Sequence, residues 1–229
     1  MRFLLIHTAG GEGSVALADA GAIVAEEILP GRTSSERLVP AVRRLMEAQG
    51  WRLPDLTAIV VVHGPGSFTG VRVGLSAAKG LSEAGEIPLI AVSRLALLAA
   101  SSGREGTTVH AVLDAGRGEF YYGEYVGQRC LREALLNREE VVAATAQGVA
   151  VVCETTVAEA LAGLDLLAVN EPSAADALPF AQERAAAKAF DDASSVDANY
   201  LRRSDAEIFA KPAPAKPTPA KPSPGNPAK

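Results

Sequence analysis

Residues 60–80, VVVHGPGSFTGVRVGLSAAKG, have the composition of a phosphate cradle: an apolar strand, a glycine-rich loop and a helix-forming run. Gly64, Gly66 and Gly70 space as G-x-G-x-x-x-G, one residue longer than the dinucleotide fingerprint. Val71 and Arg72 stand where a P-loop needs its Lys-Ser/Thr pair. Pro65 removes one N–H from any anion nest. Two readings follow. Free N–H groups from Ser67 through Thr69 to Arg72 could hold an anion at the helix start, or the loop is a tight strand-to-helix turn with Ser67 or Thr69 as its cap, the reading we favour. The three histidines, His7, His63 and His110, form no HxxxH or HExxH, and no cysteine lies near them in sequence. His63, ending an apolar run beside the loop, reads as a core or rim histidine. No G-x-S-x-G elbow occurs. Asp114, beside a glycine turn at a predicted strand end, is placed to hold a hydrated Mg²⁺. Its counterpart in the first half is His7, an unsuitable ligand for so hard a cation. Ser67, Thr69 and Asp114 are thus the weak candidates for cofactor contact, and no catalytic constellation is complete.

The elements that would position these residues follow from periodicity. Strands are predicted at about residues 2–8, 14–19 and 22–29, with a glycine-rich hairpin link, TAGGEG, between the first two. A helix over 34–49 has Thr33 and Glu36 spaced as a capping box and Gly50 as a terminator, with Pro40 in tension inside it. A buried strand (57–62), a helix (69–84), a strand (88–92) and a short helix (93–100) complete the first half. Gly70, Gly74, Ala78 and Ser82 form a small-residue row that lets another helix approach closely. With Leu38, Val39, Val42, Leu45 and Met46 on the preceding helix, the pair reads either as ordinary core or as half of a four-helix interface with another chain.

SSGREG at 101–106 marks a boundary, after which the pattern restarts. LLIHTAGGEGSVAL and AVLDAGRGEFYYG align with His7 opposite Asp114. Further strands near 149–153 and 166–169 and helices near 157–163 and 174–190 suggest a duplicated α/β unit of two lobes. The lobes are placed at 1–102 and 103–205, a return of the second lobe's end to the first being left open, with a Lys/Pro-rich tail at 206–229.

Of 229 residues, 48% are hydrophobic, enough for one large or two small cores, and no apolar run is long enough to span a bilayer. No signal peptide is expected, and Cys130 and Cys153 make no CxxC, so a reduced, cytoplasmic protein is expected. Net charge is −5; without Lys211, Lys216, Lys221 and Lys229 of the tail, 18 basic residues face 27 acidic ones, a net −9. Such a body is a poor grip for nucleic acid. The tail, with seven of the fourteen prolines, reads as a solvated polyproline spacer.

The run GPGSFTGVRVGLSAAKGL (64–81) resembles the signature of the bacterial TsaB (YeaZ) family, as do IPLIAVSRLALLA (87–99), LDAGRGEFYYGEY (113–125) and YLR (200–202). The resemblance implies a two-lobed actin-like ATPase/RNase H-like (ASKHA) α/β fold with mixed sheets flanked by helices. It also implies a part in adding the threonylcarbamoyl group to the adenosine beside the anticodon of tRNA (t6A). By resemblance the subunit is non-catalytic and pairs as a heterodimer with the paralogue TsaD, which carries the metal and nucleotide sites. The ATPase TsaE joins the pair, tRNA is met only through the complex, and a homodimer of the lone subunit stays open. The implied interface is a helical bundle carrying Leu38, Val42, Leu45, Met46, Val71, Gly74, Leu75 and Ala78. This chain departs from the family at His7 (usually Asp), at Ser34-Ser35-Glu36 (usually His-Ser-Glu) and at Gly116 (commonly Arg). The alternative is an ATP/Mg²⁺-handling enzyme of the same superfamily, using Asp114 and the glycine loop.

Overall fold

The computed structural model describes residues 1–201, except residue 147 and the side chain of residue 32. The expectations for Arg202 and for the Lys/Pro tail therefore lie outside the described residues.

The apolar alternation of Arg2–His7 (β1) splits its side chains between two cores. Leu4 and Ile6 face one way, Phe3 and Leu5 the other, all essentially without solvent contact. β1 pairs antiparallel with Gly13–Asp19 (β2) and parallel with Ala58–Val62 (β4). Ala22–Leu29 (β3) and Leu89–Val92 (β5) close the first sheet, ordered β3-β2-β1-β4-β5. In the second half, Thr108–Gly116 (β6), Glu119–Val126 (β7), Arg129–Asn137 (β8), Val149–Val152 (β9) and Leu166–Ala168 (β10) form a sheet ordered β8-β7-β6-β9-β10. The order and sense of pairing repeat strand for strand, so the duplication suggested by the sequence is a duplication of topology.

Six α-helices are assigned among the described residues. Ser34–Ala48 (α1) and Phe68–Gly85 (α2) cover the outer face of the first sheet. Arg138–Ala144 (α4) and Thr155–Ala160 (α5) cover the outer face of the second. Between the sheets lie Arg94–Ala100 (α3) and Leu178–Ala186 (α6). α3, RLALLAA, buries every residue from Arg94 to Ala99, as a helix apolar all round must. It packs on β6 and β7 of the second sheet, while α6 packs on β1, β4 and β5 of the first. The chain after α6 stays on the first lobe: Asp191 N–H donates to Leu89 O (2.8 Å) and Asn199 N–H to His63 O (2.8 Å).

Local chemistry differs from expectation at three points. Thr33 and Glu36 do not form a capping box, because a 3₁₀ turn at Gly31–Thr33 already carries Thr33 toward helical geometry (φ −94°, ψ 4°). Its hydroxyl instead donates back to Pro30 O at 2.7 Å. Pro40 is tolerated because it lies on the exposed side of α1, where water can serve the Glu36 carbonyl it frees. β8 and α4, unassigned from sequence, occupy RCLREALLN and REEVVAA; β8 is an exposed edge strand whose charged residues hide its alternation. Both cysteines are free. Among the described residues, no helix is long and apolar enough to cross a membrane.

Candidate functional site

The glycine loop is a packed turn whose donors are mostly committed. Ser67 N–H donates to Ala9 O (2.9 Å), Val71 N–H to Ser67 O (2.8 Å), and Gly70 N–H to Ser67 Oγ (3.2 Å). Ser67, not the exposed Thr69, is the cap of α2. Gly66 (φ 155°) takes a backbone conformation that L side chains avoid, and a Cβ there would overlap Ala9 O. The loop is therefore built to lay α2 against the end of β1. A small cavity of about 240 Å³ remains between it, the β1–β2 link and the start of α1, with Thr8, Ser34, Ser67 and Thr69 among its lining.

The small-residue row of α2 does not face outward. A Cβ on Gly70 would overlap Thr8 O, and one on Gly74 would overlap Thr8 Oγ1, the hydroxyl that donates to Gly70 O at 2.7 Å. The row lets the helix approach the chain's own strand, which corrects its reading as a seat for a foreign helix. Of the residues assigned to the partner interface, Leu38, Val42, Met46, Val71, Gly74, Leu75 and Ala78 are buried within the chain, and Leu45 is half-buried. The outward faces of the two helices carry other residues: Val39 (55% exposed), Phe68 (54%), Ser76 and Gly80, with Val73, Ala77 and Leu81 half-covered between them. Arg72 lies across the Phe68 ring, 3.4 Å from its centroid, with Tyr200 alongside.

The chemistry between the lobes centres on Arg94, which no motif indicated. It heads α3 directly after the Ser93 cap, and only 3% of its surface is exposed. Its N–H donates to Gly64 O (2.7 Å), tying the glycine loop to the interlobe layer. Nη2 donates to Glu171 Oε1 (2.7 Å) and to Glu154 Oε1 (3.2 Å). Each glutamate also takes a backbone donor from one of the two glycine-rich hairpins. Gly11 N–H reaches Glu171 Oε1 (2.9 Å), and Asp114 N–H reaches Glu154 Oε2 (2.7 Å). The sequence signal was a lone arginine inside an otherwise apolar helix, a buried charge that needs partners.

His7, which ends β1, and Asp114, two residues before the end of β6, are paired by the repeat but lie in different environments. Asp114 is exposed and its Oδ1 accepts from Gly116 N–H at 2.6 Å, capping its own turn. His7 is 1% exposed, and neither ring nitrogen forms a hydrogen bond among the described residues. Burial first, and the neighbouring Arg94 charge second, lower its pKa to about 3, its own carbonyl opposing slightly, so the ring is neutral. His63 Nδ1 lies 3.0 Å from Asp197 O, a satisfied rim histidine. Among the described residues, no three His, Cys, Asp or Glu side chains converge as a metal cluster.

Two sheets of identical order, packed through shared helices with glycine-rich hairpins facing the cleft, define a two-lobed protein of the actin-like class. Comparison with known proteins narrows this. Residues 28–149 match the family described as TsaD: tRNA N6-adenosine threonylcarbamoyltransferase. The tRNA threonylcarbamoyladenosine biosynthesis protein TsaB of Escherichia coli (strain K12) is 41% identical over 127 residues, 55% of each chain. That of Bacillus subtilis (strain 168) is 36% identical over 145 residues, 63% of each. The match thus spans between about half and two thirds of these curated relatives. YeaZ from Pseudomonas aeruginosa superposes with a TM-score of 0.75 at 31% identity, over 87% of this chain and 99% of that one. The chain belongs to the TsaB (YeaZ) family.

Proposed function

We propose that this chain is a non-catalytic subunit of tRNA threonylcarbamoyladenosine synthesis, docking a TsaD-like paralogue through α1 and α2. The observation that carries the reading is the outward face of these helices. A Cβ on Gly80 would meet nothing within 4 Å, and Val39, Val73, Ala77 and Leu81 give an apolar, small-residue surface around it. Such a face suits a close-packed helix pair from a related subunit. The side chains named from sequence then support the face from beneath rather than touch the partner. The acidic body favours tRNA held by partners, and ATP, metal and a TsaE-like ATPase belong to the complex rather than to this chain.

Co-purification with the cognate TsaD-like protein tests the docking. Ala77→Glu and Gly80→Arg should abolish the complex while leaving the melting temperature of the lone subunit within a few degrees. An intact complex with both variants would remove this face from the interface. The ATP-handling alternative has Asp114 on the rim of the cleft, but with its backbone N–H already given to Glu154. Calorimetry with ATP and Mg²⁺ separates the two readings: micromolar binding lost on Asp114→Ala would favour the enzyme.

A further inference from the structure

Glu133 of β8 is a half-buried carboxylate held entirely by neutral donors. The hydroxyls of Ser93 (2.5 Å) and Tyr125 donate to its Oε1, and Asn199 Nδ2 donates to its Oε2 (2.6 Å). Among the described residues it forms no ion pair with Lys, Arg or His. A carboxylate has about four lone-pair positions, so one at Oε2 stays open. The uncompensated charge is felt nearby. After burial, it is the next cause that raises both the Tyr125 phenol and the Cys130 thiol above their ordinary values. Glu133 also lines a cavity of about 380 Å³ where the end of β5 meets β8 and α6. None of that lining comes from either glycine-rich hairpin. Tyr125 and Phe180, both buried, supply aromatic rings to its wall. Arg184 borders the cavity too, but its charge is matched by Asp191 at 3.0 Å. Its Nη1 and Nε also donate to Ala91 O and Ala189 O, at 3.0 Å each. An anion without a counter-charge, set beside aromatic rings, suits an ammonium ion.

We propose that this cavity between β5, β8 and α6 binds a primary alkylammonium. Its nitrogen sits at the open position of Glu133 and its alkyl stem lies along Phe180. A free amine and a lysine side chain share this chemistry. The inference is independent of the docking face on α1 and α2.

n-Butylammonium chloride is the probe, titrated calorimetrically into the full chain at constant ionic strength. It should bind with a Kd of about a millimolar, as suits so small a ligand. Glu133→Gln should weaken binding about tenfold or more, through loss of a charge-assisted hydrogen bond. Methylammonium keeps the charge but lacks the stem, and should also bind about tenfold or more weakly. Nα-acetyl-lysinamide then distinguishes the sources: affinity equal to that of n-butylammonium supports a lysine side chain, and lower affinity supports a free amine. Thermal melts check folding; if Glu133→Gln loses cooperative melting, the n-butylammonium and methylammonium comparison on the unaltered protein decides. The proposal is overturned if n-butylammonium does not bind in the millimolar range, or if methylammonium binds equally well. It is overturned too if the folded Glu133→Gln protein binds n-butylammonium as the parent does.

Discussion

Acidification from about pH 7 to pH 5 should destabilise the protein through His7. The imidazole is fully buried beside Arg94, and its pKa is lowered from the ordinary 6.5 to about 3. The unfolded chain takes up a proton at this residue below pH 6.5 while the folded chain does not. Stability from His7 is therefore complete above 6.5 and is lost as pH falls toward 3, at up to about 1.4 kcal/mol per pH unit. Between about pH 7 and pH 5 the loss amounts to about 2 kcal/mol, a large share of a typical domain's stability. Urea unfolding of the unaltered protein and of His7→Leu at both pH values isolates it, since all other titrating groups are common to the pair. Leucine also removes two buried nitrogens that have no partner among the described residues, so the variant should be no less stable than the parent at pH 5. Parallel loss of stability in the two proteins on acidification would show that His7 is not held neutral by its site.

Two further tests separate the inner from the outer side of the helices. Gly74→Val should cost more than about 3 kcal/mol, because its Cβ would collide with Thr8 Oγ1 and break the Thr8–Gly70 hydrogen bond. Gly80→Ala in the same helix should be neutral or stabilise by up to about 1 kcal/mol, since nothing lies within 4 Å of the new methyl; chemical denaturation reads both. Leu38→Ala should cost about 2–5 kcal/mol at a side chain 1% exposed. Its neighbour Val39→Ala, 55% exposed, should stay within about 0.5 kcal/mol in the lone subunit and weaken only the complex.

Much of the architecture was legible in the sequence because it rests on local periodicity. The apolar run before the glycine loop is β4, the long helical runs are α1 and α2, and the restart after residue 106 is the second lobe. β8 and α4 were missed where a polar edge strand and a short capped helix leave little hydrophobic signal. The site was less legible. Glu154, Glu171, Arg94 and Gly11 come from four separate segments, and only folding brings them within hydrogen-bond reach.

The sequence alone determined that two α/β units are joined, that α2 starts at a glycine-rich turn, and that α2 has a side made of small residues. It could not decide what lies against that side. A helix period says which residues share a face, whereas the neighbour of that face is fixed by how closely backbones approach in three dimensions. The fold answers with Thr8: Gly70 and Gly74 are small because β1 passes beneath them. The open surface is the one around Gly80. Tertiary structure likewise gave a lone arginine in an apolar helix its two partners, Glu154 and Glu171, because a buried guanidinium is stable only where carboxylates converge on it.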